Sequence, residues 1–190
     1  AELGLDARAL KRVELGALFH DIGKIGIPPS ILAKPGPLTD EERRIVETHP
    51  ELGERILRPI GQLEDVCSIV RSCHERWDGD GYPDRLANEA IPIAARIVCA
   101  CDAFSAMTTN RPYRPGRAVH EALDELRANA ASQFDPVVVT ALLDGRVERP
   151  RRVAPVCHSG ELLGLIVVER PAGGDPFTEL MLPRAVLKLK

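Results

Sequence analysis

Apolar residues recur at helical spacing over the first 148 residues, which predicts an all-α domain. Asp6 is of a type favoured at helix N termini, and the apolar positions after it predict a first helix that ends near His20. Thr39 and Glu42 have the spacing of a capping box and predict another helix start, with a new helix from about Pro50. Further helices are expected at about residues 62–76, 91–107, 118–130 and 136–147. The segment 91–107 is apolar on nearly all sides, so we expect it to be buried.

The pattern changes after Glu148. The run Arg149-Pro150-Arg151-Arg152 separates the helical part from short β-type stretches at 153–156, 162–168 and 180–189. Turn-forming Ser, Gly and Pro residues lie between these stretches. The sequence therefore predicts a helical domain over residues 1–148 and a small β-rich extension over residues 149–190.

Composition narrows the class of protein. With 190 residues, 44% of them apolar and 28% charged, the chain is long enough for a hydrophobic core. A net charge of −3 argues against a general nucleic-acid binder. No apolar run is long enough to predict a membrane segment, and the start lacks the features of a secretory signal. Five cysteines, an odd number without disulfide-framework spacing, suit a reducing compartment, so we expect a cytoplasmic location.

Adjacent His20 and Asp21 are the first candidates for chemistry. Imidazole and carboxylate suit iron, manganese or zinc, and a carboxylate can bridge two ions. Neighbours on a regular helix point about 100° apart, so two chelating neighbours work best at a helix end, where this pair is predicted. The alternative interpretation is a capping aspartate beside a surface histidine. A metal site would require more ligands from elsewhere in the chain.

Later residues offer such ligands. Asp102 interrupts an apolar helix, where a buried carboxylate is costly unless it meets a cation, and Arg96 is poorly placed to pair with it. His49 is predicted at a junction between two helices, and His74 follows an apolar helical stripe. Each histidine could instead be a helix cap or a satisfied core residue. Glu75 is a candidate to orient an imidazole.

Several motifs together resemble the HD-GYP phosphodiesterases over residues 3–147. The resemblance rests on His20-Asp21-Ile22-Gly23-Lys24, His74-Glu75-Arg76-Trp77-Asp78-Gly79-Asp80-Gly81-Tyr82-Pro83, Ile91-Pro92-Ile93-Ala94-Ala95-Arg96, Asp102-Ala103-Phe104-Ser105-Ala106-Met107, Arg111-Pro112-Tyr113-Arg114 and Gln133-Phe134-Asp135-Pro136. It implies an HD-superfamily helical bundle. It also implies hydrolysis of cyclic di-GMP to pGpG, GMP or both, in bacterial second-messenger signalling.

The resemblance further implies a site with two or three divalent ions, most often iron or manganese. Its metal ligands would be His20, Asp21, His49, His74 and Asp102. Asp21 and Lys24 would be catalytic, and substrate contacts would come from Lys24, Tyr82, Arg111 and Arg114. The resemblance also implies contact of Gly81-Tyr82-Pro83 with GGDEF-type partner proteins, and a homodimer stays open.

Three departures from the family pattern leave a second interpretation open. Cys73 stands where the family usually has a histidine next to His74, so Cys73 is either a metal ligand or a small core residue. Ser105 replaces a family aspartate. A further histidine ligand lies upstream of the matched segment in the family, so we expect these residues to be a fragment of a longer protein. The alternative to an enzyme is a catalytically weak or inactive module that binds a cyclic dinucleotide or a protein.

Overall fold

Short helices make up most of the described chain. The computed structural model describes residues 3–110 and 115–144, together with the backbone of two strands between 153 and 167. Over those residues the helices are α1 (Ala7–Phe19), α2 (Pro29–Leu32), α3 (Asp40–Val46), α4 (His49–Leu57), α5 (Glu64–Ser72), α6 (Ile93–Thr108), α7 (Val119–Ala128) and α8 (Pro136–Asp144). Tighter 3-10 turns lie at Ile22–Gly26, Gly61–Leu63 and Asn88–Ala90. The predicted all-α fold of the first part of the chain is confirmed.

Local capping explains where the first helices begin. The Asp6 carboxylate accepts a hydrogen bond from the Ala9 amide at 2.7 Å. Thr39 and Glu42 bond to each other's backbone amides, which completes the predicted capping box of α3. His49 is the first residue of α4, at the predicted junction between two helices.

Among the described residues, buried side chains form three groups. α1 and α5 contribute to two of them, and α5 and α6 share the middle one. The third joins α6, α7 and α8 through residues such as Phe104, Leu126 and Val138. α6 therefore contributes side chains to two of these three groups. Its buried residues are Ala95, Val98, Ala100, Phe104 and Ser105, and its other residues are partly buried, which agrees with the expectation of a buried helix.

The loop after α5 is tied to the α7–α8 connection. The Trp77 and Asp78 amides donate to the carbonyls of Gln133 and Ser132. Arg96 donates to the fully buried carboxylate of Asp135 at 2.6 Å and also to the carbonyl of Ile91, two residues before α6 begins. The loop is thereby held against the helical bundle along its first residues.

Two strands follow the helices. β1 (Val153–His158) and β2 (Glu161–Val167) pair antiparallel, with Val153 opposite Val167 and a register irregularity after Val156. They occupy the first two predicted β stretches. The third stretch, 180–189, lies outside the described residues, and the division of the chain near residue 148 stays a prediction. None of the helices that the structure describes has the length and apolar character needed to cross a bilayer.

Ala131 offers a simple test of the backbone. It lies at φ +65° on an exposed turn, in the left-handed region that costs an L-residue about 1–2 kcal/mol. We expect Ala131→Gly to raise the free energy of unfolding by about 0.5–1 kcal/mol after the greater chain entropy of glycine is subtracted. Urea unfolding of the chain measures this change. Ala128→Gly, in the last turn of α7, should instead lower stability, and stabilisation by both variants would refute the assignment of strain.

Candidate metal centre

A close backbone approach brings His20 and Asp21 to α4. The 3-10 turn Ile22–Gly26 follows α1 directly and packs against the start of α4. A Cβ atom on Gly23 would lie only 1.9 Å from the carbonyl oxygen of His49 and 2.5 Å from the Gly53 amide nitrogen. Only glycine permits this approach. It places the carboxylate of Asp21 beside the imidazole of His49.

Two of the imidazole rings are oriented by backbone carbonyls. The Nδ1 of His20 lies 2.8 Å from the Ala17 oxygen, and the Nδ1 of His49 lies 2.7 Å from the Val46 oxygen. Because a carbonyl oxygen only accepts, we assign the proton to each Nδ1, which donates. In the neutral ring the Nε2 then carries a lone pair. Burial lowers the pKa of His49, which favours that neutral ring.

Asp21 lies between these two rings. Its Oδ1 is 3.5 Å from His49 Nε2, and its Oδ2 is 3.5 Å from His20 Nε2. Oδ2 also accepts a hydrogen bond from Lys24 Nζ at 2.7 Å. Burial raises the pKa of Asp21, but the neighbouring His20 and Lys24 more than offset it, so the net pKa is below the usual value. Asp21 is therefore a carboxylate whose two oxygens face different imidazoles.

His74 completes the arrangement on the His49 side. Its Nε2 lies 2.9 Å from the Nε2 of His49. Burial lowers the pKa of His74 to about 3, with the neighbouring His49 as the next cause. The ring of Tyr82 stacks on His74 with 5.2 Å between centroids and 8° between planes, and it meets His49 edge-on. Burial also raises the pKa of the Tyr82 phenol.

This donor set fits a divalent metal ion. Asp21, His49 and His74 each offer a ligand atom, and those atoms all lie within 4.8 Å of one another. Asp21 Oδ1 is buried and accepts no hydrogen bond from the residues that the structure describes. Without a cation, imidazole lone pairs would face carboxylate oxygens, which is unfavourable. Mixed nitrogen and oxygen donors of this type suit iron, manganese or zinc.

Asp102 approaches the same ring nitrogen of His20 as Asp21 does. Its Oδ1 is 3.7 Å from His20 Nε2, so α6 brings a second carboxylate to the same imidazole. The Asp102 side chain is 43% exposed, and the expectation of a deeply buried carboxylate is wrong. The reason is that this face of α6 borders the site instead of the core. The expectation that Arg96 is not its partner agrees with the structure, since Arg96 bonds to Asp135.

Cys73 and Glu75, whose roles the sequence leaves open, both have their nearest polar partners outside the cluster. Cys73 is 2% exposed, packs among apolar side chains of α5 and α6, and its thiol lies 3.1 Å from the Val70 oxygen. Burial raises its pKa well above the usual value, so it is a neutral thiol in the core. The Glu75 carboxylate bonds to the loop amides of Asp84 and Leu86 and does not orient an imidazole.

The geometry of Cys73 leads to a prediction. We expect Cys73→Ala to change the affinity for Mn²⁺ less than about twofold, because the thiol faces the core. We also expect a loss of about 1–2 kcal/mol in unfolding free energy from the small cavity. Calorimetric titration with Mn²⁺ and urea unfolding measure the two effects. A tenfold loss of Mn²⁺ affinity would instead make Cys73 a ligand.

The remaining predicted site residues divide into two groups. Lys24 and Tyr82 lie beside the cluster, as described above. Arg111 and Arg114 lie outside the described residues. Reasoning from the sequence did not identify Arg71 and Asp84, which bond to each other, with Asp84 two residues after Tyr82 along the chain. The sequence feature that could have indicated Arg71 is its position, three residues before His74 on a helix whose buried stripe is otherwise apolar.

Comparison with known proteins identifies relatives of this chain. The sequence model of the HD domain matches residues 1–138. A cyclic di-GMP phosphodiesterase response regulator of Xanthomonas campestris pv. campestris is 42% identical over 149 residues, which are 77% of this chain and 39% of that protein. A cyclic di-GMP phosphodiesterase of Thermotoga maritima is 42% identical over 146 residues, 75% of this chain and 39% of that protein. The chain thus spans about two fifths of each of these relatives.

Other relatives are named for a different substrate. A 3′3′-cGAMP-specific phosphodiesterase of Vibrio cholerae is 38% identical over 143 residues, 74% of this chain and 27% of that protein. The crystal structure of a cyclic GMP-AMP-specific phosphodiesterase of the same species superposes with a TM-score of 0.56 at 23% identity. It covers 78% of this chain and 41% of that one, and it confirms the predicted helical fold. The domain match and the fold agree with the motifs, and the chain belongs to the HD domain family.

Proposed function

We propose that this chain is the hydrolase domain of a metal-dependent phosphodiesterase that converts cyclic di-GMP to pGpG, GMP or both. The observation that carries the proposal is the position of Asp21. One carboxylate faces His49 with one oxygen and His20 with the other, and neither imidazole donates a proton toward it. Such a carboxylate is suited to bridge two cations.

The proposed ligands are His20, Asp21, His49, His74 and Asp102. They divide into two sets around Asp21, with His49 and His74 on one side and His20 and Asp102 on the other. Iron or manganese is the expected metal. Bound divalent ions would supply Lewis acidity, which lowers the pKa of water and neutralises charge on phosphoryl oxygens.

The chain's own cations would position the substrate. The ammonium group of Lys24 lies at the edge of the cluster, where it can donate to a phosphate oxygen as a point charge. Arg111 and Arg114 are proposed to provide forked donors for the phosphates. The ring of Tyr82 covers His74 and would limit how a nucleotide approaches the cluster. No side-chain nucleophile is required in this scheme.

Cyclic di-GMP is preferred over other cyclic dinucleotides on the basis of the relatives. The two relatives at 42% identity are named for cyclic di-GMP, whereas the cGAMP-specific relatives are 33–38% identical. Contact of Gly81-Tyr82-Pro83 with GGDEF-type proteins, a homodimer and a cytoplasmic location all stay predictions from the sequence. Net charge −3 still argues against nucleic acid as a substrate.

The test is turnover by the chain loaded with Mn²⁺ or, without oxygen, Fe²⁺. The chain is incubated separately with cyclic di-GMP and with 3′3′-cGAMP, and the linear products are quantified by liquid chromatography. We expect pGpG or GMP to accumulate from cyclic di-GMP, and chelation of the metal to stop the reaction.

Two results would count against the proposal. Tight binding of cyclic di-GMP without product would favour the non-catalytic module. Faster cleavage of 3′3′-cGAMP than of cyclic di-GMP would make 3′3′-cGAMP the preferred substrate. Metal analysis of each sample should accompany the assay, so that a loaded but inactive chain is recognised.

A further inference from the structure

The third histidine of the site is oriented differently from the other two. His20 and His49 donate from Nδ1 to carbonyls of the preceding turn. Across the described residues no carbonyl accepts from the Nδ1 of His74, and its ring is covered by Tyr82 instead. Histidines that bind metals generally need a partner that fixes the ring. Besides His49 at its Nε2, the contact that could fix the His74 ring is the stacked ring of Tyr82.

We define the Tyr82 loop as residues 78–86. Its backbone is pressed against the segment that follows His74: a Cβ on Gly81 would lie 2.3 Å from the Arg76 nitrogen and 2.5 Å from the Glu75 Cα. The Tyr82 amide donates to the His74 carbonyl at 3.2 Å. This packing leaves the Tyr82 ring parallel to the His74 ring.

The buried carboxylate of Glu75 holds the end of the loop. It is 2% exposed, and its two oxygens accept from the Asp84 amide at 2.7 Å and the Leu86 amide at 3.0 Å. A carboxylate that accepts two amides in a buried site fixes both of them in place. The loop end is therefore tied to the residue directly after His74.

Arg71 provides a second attachment. Its guanidinium makes a forked pair with Asp84, at 2.6 Å from Nε and 2.7 Å from Nη2, and its Nη1 donates to Glu54 at 2.8 Å. Glu54 lies on α4, the helix that begins with His49, and Arg71 lies on α5, three residues before His74. The Arg71 side chain is 28% exposed and that of Glu54 is 13% exposed, so the group is partly shielded from water. One side chain thus joins α4, α5 and the loop.

We propose that Arg71, through Asp84 and together with Glu75, is a positioning residue that holds Tyr82 on the imidazole of His74 and so fixes His74 for metal binding. This inference deepens the proposed function and rests on it only for its consequence in catalysis. The pair is suited to this role because a guanidinium fork sets direction as well as distance, which a lysine does not.

The test observes His74 directly in the metal-free chain. Only five histidines are present, so the ring protons of chain labelled with ¹³C and ¹⁵N histidine give a simple NMR spectrum. A tyrosine ring stacked on His74 should shift the His74 signals upfield, and Tyr82→Leu defines the position without that ring. We expect Asp84→Asn and Arg71→Lys to move the signals toward the Tyr82→Leu position. His74→Gln identifies the signals.

The matched control is Asp80→Asn. It removes the same charge from the same loop at an exposed position that does not bond to Arg71, so the His74 signals should stay at their original position. The proposal would be overturned if both Asp84→Asn and Arg71→Lys kept the His74 signals of the original chain while their melting temperatures fell. The contacts of Arg71 and Asp84 would then contribute to stability alone. If Arg71→Lys does not fold, Asp84→Asn decides the same question.

Metal affinity is the second measurement. We expect Asp84→Asn to weaken Mn²⁺ binding about tenfold, the lower end of what partners of metal-binding histidines contribute, and Asp80→Asn to leave it unchanged. Unchanged Mn²⁺ affinity in Asp84→Asn, with the His74 signals moved, would also overturn the proposal. Both measurements are made without a cyclic dinucleotide. They therefore test the positioning role of Arg71 even if the chain fails to hydrolyse cyclic di-GMP.

Discussion

Asp21→Asn is expected to remove metal binding and to lower hydrolysis of cyclic di-GMP by about 10³-fold or more. The substitution keeps the size of the side chain and an oxygen that can accept from Lys24. It removes the negative charge and places an amide group, which cannot bridge two cations, between His20 and His49. Calorimetric titration with Mn²⁺ measures the binding, and chromatography of the products measures the turnover.

The control for this variant is again Asp80→Asn, which changes the net charge equally in an exposed loop. It should retain both Mn²⁺ binding and turnover. In the absence of metal, the unfolding free energy of Asp21→Asn should stay close to that of the original chain, because the side chain packs the same volume. If Asp21→Asn kept both metal content and hydrolysis, the assignment of the whole site would be wrong.

Gly23→Ala is expected to destabilise the fold by about 3 kcal/mol and to weaken Mn²⁺ binding at least about tenfold. The added Cβ would meet the backbone carbonyl of His49 and the backbone amide of Gly53, neither of which can rotate away. Relief of the clash requires the 3-10 turn to move off α4. That movement separates Asp21 from His49, so stability and metal affinity should fall together in urea unfolding and Mn²⁺ titration.

Gly26→Ala provides the matched control on the same turn. Its added Cβ would lie 2.9 Å from Leu52 Cδ1, the end of a flexible side chain that can shift. We expect a cost below about 1 kcal/mol and unchanged Mn²⁺ affinity. Equal behaviour of the two alanine variants would show that the close approach at Gly23 does not hold the site together.

Features set by neighbouring residues were predictable from the sequence. The Asp6 cap, the capping box of Thr39 and Glu42, and the start of α4 at His49 all depend on groups within four positions of each other. The His-Asp pair at the end of α1 is likewise a local pattern. The family motifs added His74 and Asp102 to the predicted site. The structure places Asp102 near His20 and His74 near His49.

Features that depend on tertiary packing were not predictable. An apolar helix can border a core or a cleft, and periodicity does not distinguish the two, so the exposure of Asp102 was misjudged. Glu75 was assigned to an imidazole because it is adjacent to His74, whereas its partners are nine and eleven residues away along the loop. The stacking of Tyr82 on His74 depends on how that loop folds back, which no local pattern encodes.

The proposed ligand set has a thermodynamic consequence. Its members come from the end of α1, the start of α4, the segment after α5 and the middle of α6, so the unfolded chain cannot present them together. An ion that binds the native cluster therefore shifts the folding equilibrium by mass action, by about 2.7 kcal/mol at a concentration one hundred times its dissociation constant. Loss of the ion would then lower the stability of the domain as well as its proposed activity.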